Sequence, residues 1–95
     1  MIGKQCLIRT LNTGVHFGEL IKKVGDEVTL INSRRIWAWI GAATLSQIAS
    51  EGIKNIKKSK ITMPEKKIIL LGVTEIIELD DKAIANLKRH PEWKF

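Results

Sequence analysis

Two arginines and two tryptophans lie within six consecutive residues near the middle of this 95-residue chain. Residues 34–39 read Arg-Arg-Ile-Trp-Ala-Trp. An indole stacks well on a flat ring, and a guanidinium holds an anion through its planar set of N–H donors. This combination suits a phosphate that is attached to an aromatic base. The candidate ligand-binding residues of this segment are Arg34, Arg35, Trp37 and Trp39.

The residues that follow predict a helix start close to these side chains. Gly41 and Ala42 are small, so a ligand could approach the backbone closely there. Thr44 and Gln47 have the spacing of a capping box, and Ser46 adds a second hydroxyl. The start of a helix offers amide donors and the positive end of the helix dipole to a phosphate. We therefore include all five residues in the candidate site.

The histidines and the single cysteine give little support to catalysis. His16 lies on the polar face of a predicted strand, where it either faces solvent or contacts a ligand, and we keep it as a candidate site residue. Cys6, His16 and His90 are far apart and lack the spacing of a metal site. Ser46 has no evident histidine and aspartate partners, and no phosphate-binding loop or dinucleotide motif occurs. The sequence predicts a protein that is not an enzyme and uses no cofactor or metal.

The arginine and tryptophan segment predicts a strand with two different faces. Because side chains alternate along a strand, one face over residues 34–40 is mostly aliphatic and is predicted to be buried. It contains Arg34, Ile36, Ala38 and Ile40. The other face carries the charged and aromatic side chains of Arg35, Trp37 and Trp39.

The flanking sequence predicts the elements that hold this strand in place. Three strands precede it, at residues 4–10, 15–22 and 27–31, with turn residues between them. A short helix from Thr44 to Glu51 follows and ends at Gly52. Residues 53–66 are predicted to be a loop. The short connections favour antiparallel hairpins.

The last third of the chain predicts one long strand and a second helix. Residues 67–79 are almost continuously apolar, which predicts a buried strand that bends at Gly72. Asp80 or Asp81 starts a helix that ends before Pro91. The aromatic tail, with Trp93 and Phe95, is expected to dock on its own or a neighbouring subunit. The fold class is α+β, a strongly bent antiparallel sheet of about five strands with two short helices; closure into a barrel is left open.

Length and composition describe a single domain that covers residues 1–95. The chain is 44% hydrophobic and 27% charged, and it contains no apolar run of membrane-spanning length. One cysteine excludes an internal disulfide, so the cytoplasm is the expected location and no membrane partner is expected. A small domain without disulfides or metals often gains stability by association, which predicts a homo-oligomer.

The net charge of +6 predicts partners that carry phosphate. Lysines concentrate between residues 54 and 67, where six of them face one glutamate. This segment is either a solvated loop or a surface that attracts anions. Binding to long nucleic acid through it would be weak and dependent on salt.

The central segment "NSRRIWAWIGAATLSQIASEG" resembles a small phage-encoded family of unknown function. The family pattern is "ARR-aromatic-W-x-W-x-GA-x-SLSQ-A-x-G", and it follows an opening "RT-x-x-x-GV-x-x-G", which Arg9 to Gly18 match here. Pro91 to Lys94 resemble the proline, tryptophan and lysine tail of that family. Ser33 and Thr44 replace the usual alanine and serine. The resemblance implies a phage protein that acts in the cytoplasm of an infected bacterium.

Three functions remain open at this point. By analogy with phage anti-defence proteins, the first is a sponge that sequesters a nucleotide-derived immune signal, either of the cyclic ADP-ribose type or a cyclic oligonucleotide, without cleaving it. The second is a nucleic-acid-binding module that uses the lysines with the arginine and tryptophan face. The third is an inhibitor that blocks a host protein through its tryptophans. The compact arginine and tryptophan segment favours the sponge.

Overall fold

A computed structural model describes all residues 1–95 and contains seven strands and two helices. In chain order these are β1 (Gln5–Thr10), β2 (Gly14–Val24), β3 (Glu27–Ala38), α1 (Leu45–Glu51), β4 (Lys60–Thr62), β5 (Glu65–Leu70), β6 (Val73–Glu78), α2 (Asp81–Arg89) and β7 (Glu92–Trp93). The strand order is β6-β1-β2-β3-β4-β7, and β5 also pairs with β3. The predicted α+β class is confirmed. The sheet is mixed, because β4 and β7 are parallel.

The central strand is longer than the sequence suggested. Two strands were expected at residues 27–31 and 34–40, but β3 is continuous from Glu27 to Ala38. Asn32 has φ 51°, a left-handed conformation that asparagine tolerates better than most residues, so the strand continues past the expected turn. Because β3 ends at Ala38, Ile40 is 52% exposed, and its predicted burial is wrong, whereas Ile36 is buried as expected.

The apolar run at residues 67–79 forms two strands that pair with different partners. Gly72 has φ 68° and allows a turn rather than a bend, after which β6 pairs with β1 while β5 pairs with β3. No ladder joins β5 to β6, and the sheet does not close into a barrel. The strands β4 and β7 were missed, because three and two residues are too few to show alternation.

Both faces of the sheet are covered by apolar side chains. On one face, Leu7, Phe17 and Ile36 pack against residues of the helices, among them Ile48 and Leu87. On the other face, a smaller cluster contains Cys6, Ile8, Leu20, Val28, Leu30 and Leu70. The two helices therefore pack against the face of the sheet on which Ile36 lies. Ile36 is near the end of β3, next to the tryptophans.

The predicted helix boundaries are confirmed at α1. The Thr44 hydroxyl accepts a hydrogen bond from the Gln47 amide at 3.1 Å, and Gly52 ends the helix with φ 83°. The second predicted helix is also present, with Asp80 before it and His90 after it. Neither helix combines the length and the apolar character needed to cross a bilayer.

Candidate functional site

A cleft of about 720 Å³ opens between the β1–β2 turn, the end of β3 and the start of α1. We call it the tryptophan cleft, because both central tryptophans line it. Its other lining residues are Arg9, Thr10, Leu11, Asn12, Gly14, Val15, Ile36, Ala43, Thr44, Leu45, Ser46 and Glu75. Four residues of the predicted site, Trp37, Trp39, Thr44 and Ser46, therefore come together as expected.

The two tryptophans reach the cleft in different ways. Trp39 lies beyond the end of β3 and packs against the core on the helix side, and its indole Nε1–H donates to the Ala42 carbonyl at 3.3 Å. Trp37 is still within the strand, and its side chain is 59% exposed. One indole is thus fixed by packing and a hydrogen bond, while the other presents an accessible surface for stacking.

The charged groups of the cleft come from β1 and β6. Arg9 and Glu75 are opposite each other in the β1–β6 pairing, yet no ion pair forms between them. The Arg9 guanidinium is therefore free to bind an anion. Thr10 is buried nearby, whereas Thr44 and Ser46 present exposed hydroxyls from the opposite wall.

The start of α1 is occupied mainly by its own capping interactions. The Gln47 side-chain oxygen accepts from the Ala43 amide at 2.8 Å, and the Thr44 carbonyl accepts from the Ile48 amide at 3.1 Å. With the bond from Gln47 to Thr44, three amides at this end already have partners. Ser46 makes no such bond and is fully available to a ligand, while the Thr44 hydroxyl, which accepts from Gln47, can still donate.

Gly41 and Ala42 do not line the tryptophan cleft. Gly41 has φ 104°, and a Cβ atom there would lie 2.8 Å from the backbone nitrogen of Asn55. The Ile40 carbonyl accepts from the Asn55 amide at 3.1 Å, so the segment after β3 is held against the loop before β4. Gly41 thus serves this close backbone contact, while the Ala42 carbonyl accepts from the Trp39 indole.

Arg34 lies away from the tryptophan cleft and acts as a clamp inside the protein. It is 7% exposed, and its guanidinium donates to four carbonyl oxygens at 2.7–3.3 Å. These belong to Ile61, Thr62, Leu87 and Pro91. Burial lowers the pKa of Arg34, and the carboxylate of Glu92 opposes this shift. Its donors hold β4, α2 and the tail together, so little of the guanidinium is left for a ligand.

Arg35 and His16 are paired across β2 and β3 outside the cleft. His16 is 1% exposed, so its predicted contact with solvent is wrong: both faces of β2 are covered at this point. Its Nε2 lies 3.0 Å from the Thr13 hydroxyl, which in turn contacts the Thr10 hydroxyl. Burial, assisted by the charge of Arg35, lowers the pKa of His16 to about 4. His16 thus supports the turn beside the cleft as a neutral side chain.

The sequence interpretation missed Arg9, Thr10, Asn12 and Glu75 as cleft residues. The opening motif of the family resemblance contains Arg9, Thr10 and the turn glycine Gly14. This motif was the sequence feature that could have indicated these cleft residues. Glu75 could not have been found, because the predicted single strand over residues 67–79 gave no reason to place it beside β1.

No group of three or more histidine, cysteine, aspartate or glutamate side chains forms a set that could hold a metal ion. Cys6 is fully buried, and its burial raises the pKa of the thiol. His90 is also buried: its Nε2–H donates to the Ile53 carbonyl at 3.1 Å, and its Nδ1 has no partner. Burial lowers the pKa of His90. Neither histidine lines the tryptophan cleft.

Comparison with known proteins defines a family. No curated protein and no solved structure matches the chain. A family model described as "Domain of unknown function (DUF6948)" matches residues 3–87, which include β1 to α1 and every residue of the tryptophan cleft. The chain therefore belongs to the DUF6948 family.

Proposed function

We propose that this protein binds a small nucleotide-derived ligand in the tryptophan cleft and sequesters it without cleaving it. The observation that carries the proposal is the meeting of two indoles, one unpaired guanidinium and two hydroxyls in one open cleft. A base stacks on Trp37 or Trp39, and a phosphate binds Arg9. Ser46 and Thr44 donate to the remaining oxygens of the sugar or the phosphate.

The energies of these contacts set the scale of the affinity. A charge-assisted hydrogen bond contributes about 1.5–3 kcal/mol, and base stacking on an aromatic side chain contributes about 1–3 kcal/mol. Two such bonds and one stack sum to about 4–9 kcal/mol, so a dissociation constant of about 1 µM, which corresponds to about 8 kcal/mol, requires further contacts in the cleft to offset the cost of association. Glu75 weakens the binding of an anionic ligand, because its carboxylate lies in the same cleft.

The composition of the cleft favours binding over catalysis. Its hydroxyl groups come from Thr10, Thr44 and Ser46, and none of them has a histidine within the lining residues to act as a base. Glu75 is the only lining carboxylate, so a pair of acids for acid–base chemistry is also missing. Retention of an unchanged ligand is the outcome that these groups support.

The biological setting of the proposal rests on the resemblance to phage proteins. In an infected bacterium, a protein that removes a cyclic ADP-ribose or cyclic oligonucleotide signal would suppress the host's immune response. The protein would work in the host cytoplasm, where such signals are produced. We also propose a homo-oligomer, because the apolar side chains of Val24, Ile69 and Leu71 are more than half exposed.

Calorimetry of the purified protein tests the proposal directly. The titrants are cyclic dinucleotides, cyclic trinucleotides and cyclic ADP-ribose isomers. We expect at least one of them to bind below about 10 µM, and heating should release it with an unchanged mass. Arg9→Ala should weaken this binding about tenfold or more, and Trp37→Ala should do the same.

The matched control is Arg89→Ala, which removes an equal charge from the end of α2, outside the cleft. This variant should bind the nucleotide with an affinity within about twofold of that of the parent protein. If none of the titrants binds, or if Arg9→Ala binds as well as the parent protein, the cleft is not a nucleotide site. Release of a broken ligand would make the protein an enzyme instead.

A further inference from the structure

A second aromatic surface lies beside the tryptophan cleft. Binding of a ligand in the cleft does not account for it. The indoles of Trp37 and Trp93 are stacked, with ring centroids 6.1 Å apart and planes 16° from parallel. Phe95 continues the row, its centroid 6.4 Å from that of Trp93. We call these three residues the aromatic strip. It is formed where the tail, as β7, pairs with β4 at the outer side of the sheet.

The aromatic strip is widely open to solvent. The exposed fractions are 59% for Trp37 and 38% for Trp93, and Phe95 is fully exposed. Tail docking, predicted from the sequence, therefore occurs within the chain for Trp93 but does not cover Phe95. Beyond the contacts that the three rings make with one another, part of each ring remains exposed as stacking area.

The charges around the aromatic strip are positive. The Lys60 ammonium lies 5.4 Å from the centroid of the Trp93 ring. Lys57 and Lys58 are exposed in the loop that leads into β4, where the Ser59 hydroxyl contacts the backbone of Ile40. The carboxylate of Glu92, the residue before Trp93, is paired with Lys94 at 3.7 Å. A second copy of the chain would bring like charges together here, whereas a phosphate polymer would neutralise them.

We propose that the aromatic strip binds single-stranded nucleic acid. Unpaired bases stack on Trp37, Trp93 and Phe95, and the backbone phosphates bind Lys60 and the lysines before it. Bases that are already stacked and paired in a duplex cannot reach the rings. The interaction tolerates any sequence, because stacking uses the face that every base has, and it weakens with salt. This inference is independent of the proposed function, although both sites use Trp37.

The test uses fluorescence anisotropy with labelled oligothymidylate, oligouridylate and a duplex. We expect both single strands to bind, and the duplex to bind about tenfold more weakly. Trp93→Ala should weaken single-strand binding about tenfold, and Trp93→Phe should restore most of it. Lys60→Glu should weaken binding and reduce its dependence on salt. Circular dichroism shows whether each variant is folded.

The control variant is Lys22→Glu, which makes the same charge change on an exposed lysine of β2, near the other end of β3. It should weaken binding less than threefold. Equal losses of single-strand affinity in Lys60→Glu and Lys22→Glu would show that only the net charge of the protein matters, and this would overturn the inference. Equal binding of the duplex would do so as well. If Trp93→Ala instead dissociates an oligomer, the aromatic strip is an interface between copies.

The two sites can be separated with the same variants. Lys60→Glu should leave calorimetric binding of a small nucleotide unchanged, because Lys60 does not line the tryptophan cleft. Arg9→Ala should weaken that binding about tenfold or more and retain most single-strand binding. Failure of the nucleotide site therefore does not imply failure of the aromatic strip, and the reverse also holds.

Discussion

The Arg34 guanidinium donates a hydrogen bond of 3.3 Å to the carbonyl oxygen of Leu87, which joins the middle of β3 to the last turn of α2. A cation at this position also meets the negative end of the helix dipole. The same guanidinium reaches carbonyls of β4 and of the residue before β7. One side chain therefore joins β3 to β4, to α2 and to the residue before β7.

Replacing Arg34 with methionine should destabilise the protein by about 3 kcal/mol, because four hydrogen bonds from the guanidinium to carbonyl groups are lost, two of them buried and two part-buried. Arg35→Met is the matched control: Arg35 is only partly buried, and no side-chain hydrogen bond is formed by its guanidinium. Its effect should stay below about 1 kcal/mol. Urea denaturation measures both values. Equal losses for the two variants would contradict the clamp.

Ile36→Asp should unfold the domain, because Ile36 is 3% exposed and a buried, unpaired carboxylate costs several kcal/mol. Ile40→Asp is the informative comparison, since Ile40 was expected on the same face but lies beyond the end of β3 and is 52% exposed. We expect it to fold with nearly the parent stability. Circular dichroism and thermal melts decide the matter: a folded Ile36→Asp variant would refute the packing described for β3.

The contrast between these isoleucines shows how far the sequence could predict the fold. Alternation placed Ile36 correctly while the strand continued, and capping residues located α1 through Thr44 and Gly52. Alternation could not show that the strand ends at Ala38, nor that Asn32 continues it through a left-handed residue. Strand ends and bulges depend on pairing with distant segments, which a local pattern does not contain.

The candidate site was predicted in part for the same reason. The tryptophans, Thr44 and Ser46 are close in sequence and also meet in space. Arg9 and Glu75 reach the same cleft only because β1 pairs with β2 and β6. Arg34 looked like a ligand residue beside the tryptophans, but strand alternation turns it towards α2.

Gly41→Ala should destabilise the protein by about 2 kcal/mol or more. The new Cβ atom would lie 2.8 Å from the Asn55 nitrogen, and φ of 104° is unfavourable for any residue with a side chain. Gly25→Ala separates the two causes, because Gly25 has φ 60° but nothing within 4 Å of an added Cβ. That variant should lose about 1 kcal/mol. Similar losses in thermal denaturation would argue against a close contact at Gly41.

Stability should fall as the pH decreases from about 6.5 to 4. The folded state holds the pKa of His16 at about 4, against an ordinary value of 6.5, so the unfolded chain binds a proton first. This difference lowers the free energy of unfolding by about 3 kcal/mol at most by pH 4. His90, whose pKa is also lowered, acts in the same direction.

Urea midpoints measured across this pH range test the contribution of His16. His16→Gln should retain a contact to Thr13 and show a smaller loss of stability between pH 6.5 and 4. The remaining dependence of stability on pH should decrease further when His90→Gln is combined with His16→Gln. If His16→Gln and the parent protein lose stability in parallel, His16 titrates normally in the folded state.

The charges within the tryptophan cleft give a prediction about the ligand itself. Arg9 and Glu75 lie side by side at its wall, and Glu75 is its only acidic residue. If the bound group is anionic, removing the carboxylate should strengthen binding, because a like charge near the phosphate is lost. Glu75→Gln should then raise the affinity about three- to tenfold, while Arg9→Gln should lower it by about tenfold or more.

The opposite signs of these two effects identify the charge of the ligand without knowledge of its structure. A cationic ligand would reverse both, and a neutral one would leave Glu75→Gln without effect. Raising the salt concentration should weaken binding by the parent protein and reduce the gain from Glu75→Gln, since both depend on charge. Calorimetry at two salt concentrations supplies all of these values. A loss of affinity in Glu75→Gln together with a gain in Arg9→Gln would indicate a cationic ligand, and the anionic nucleotide would have to be abandoned.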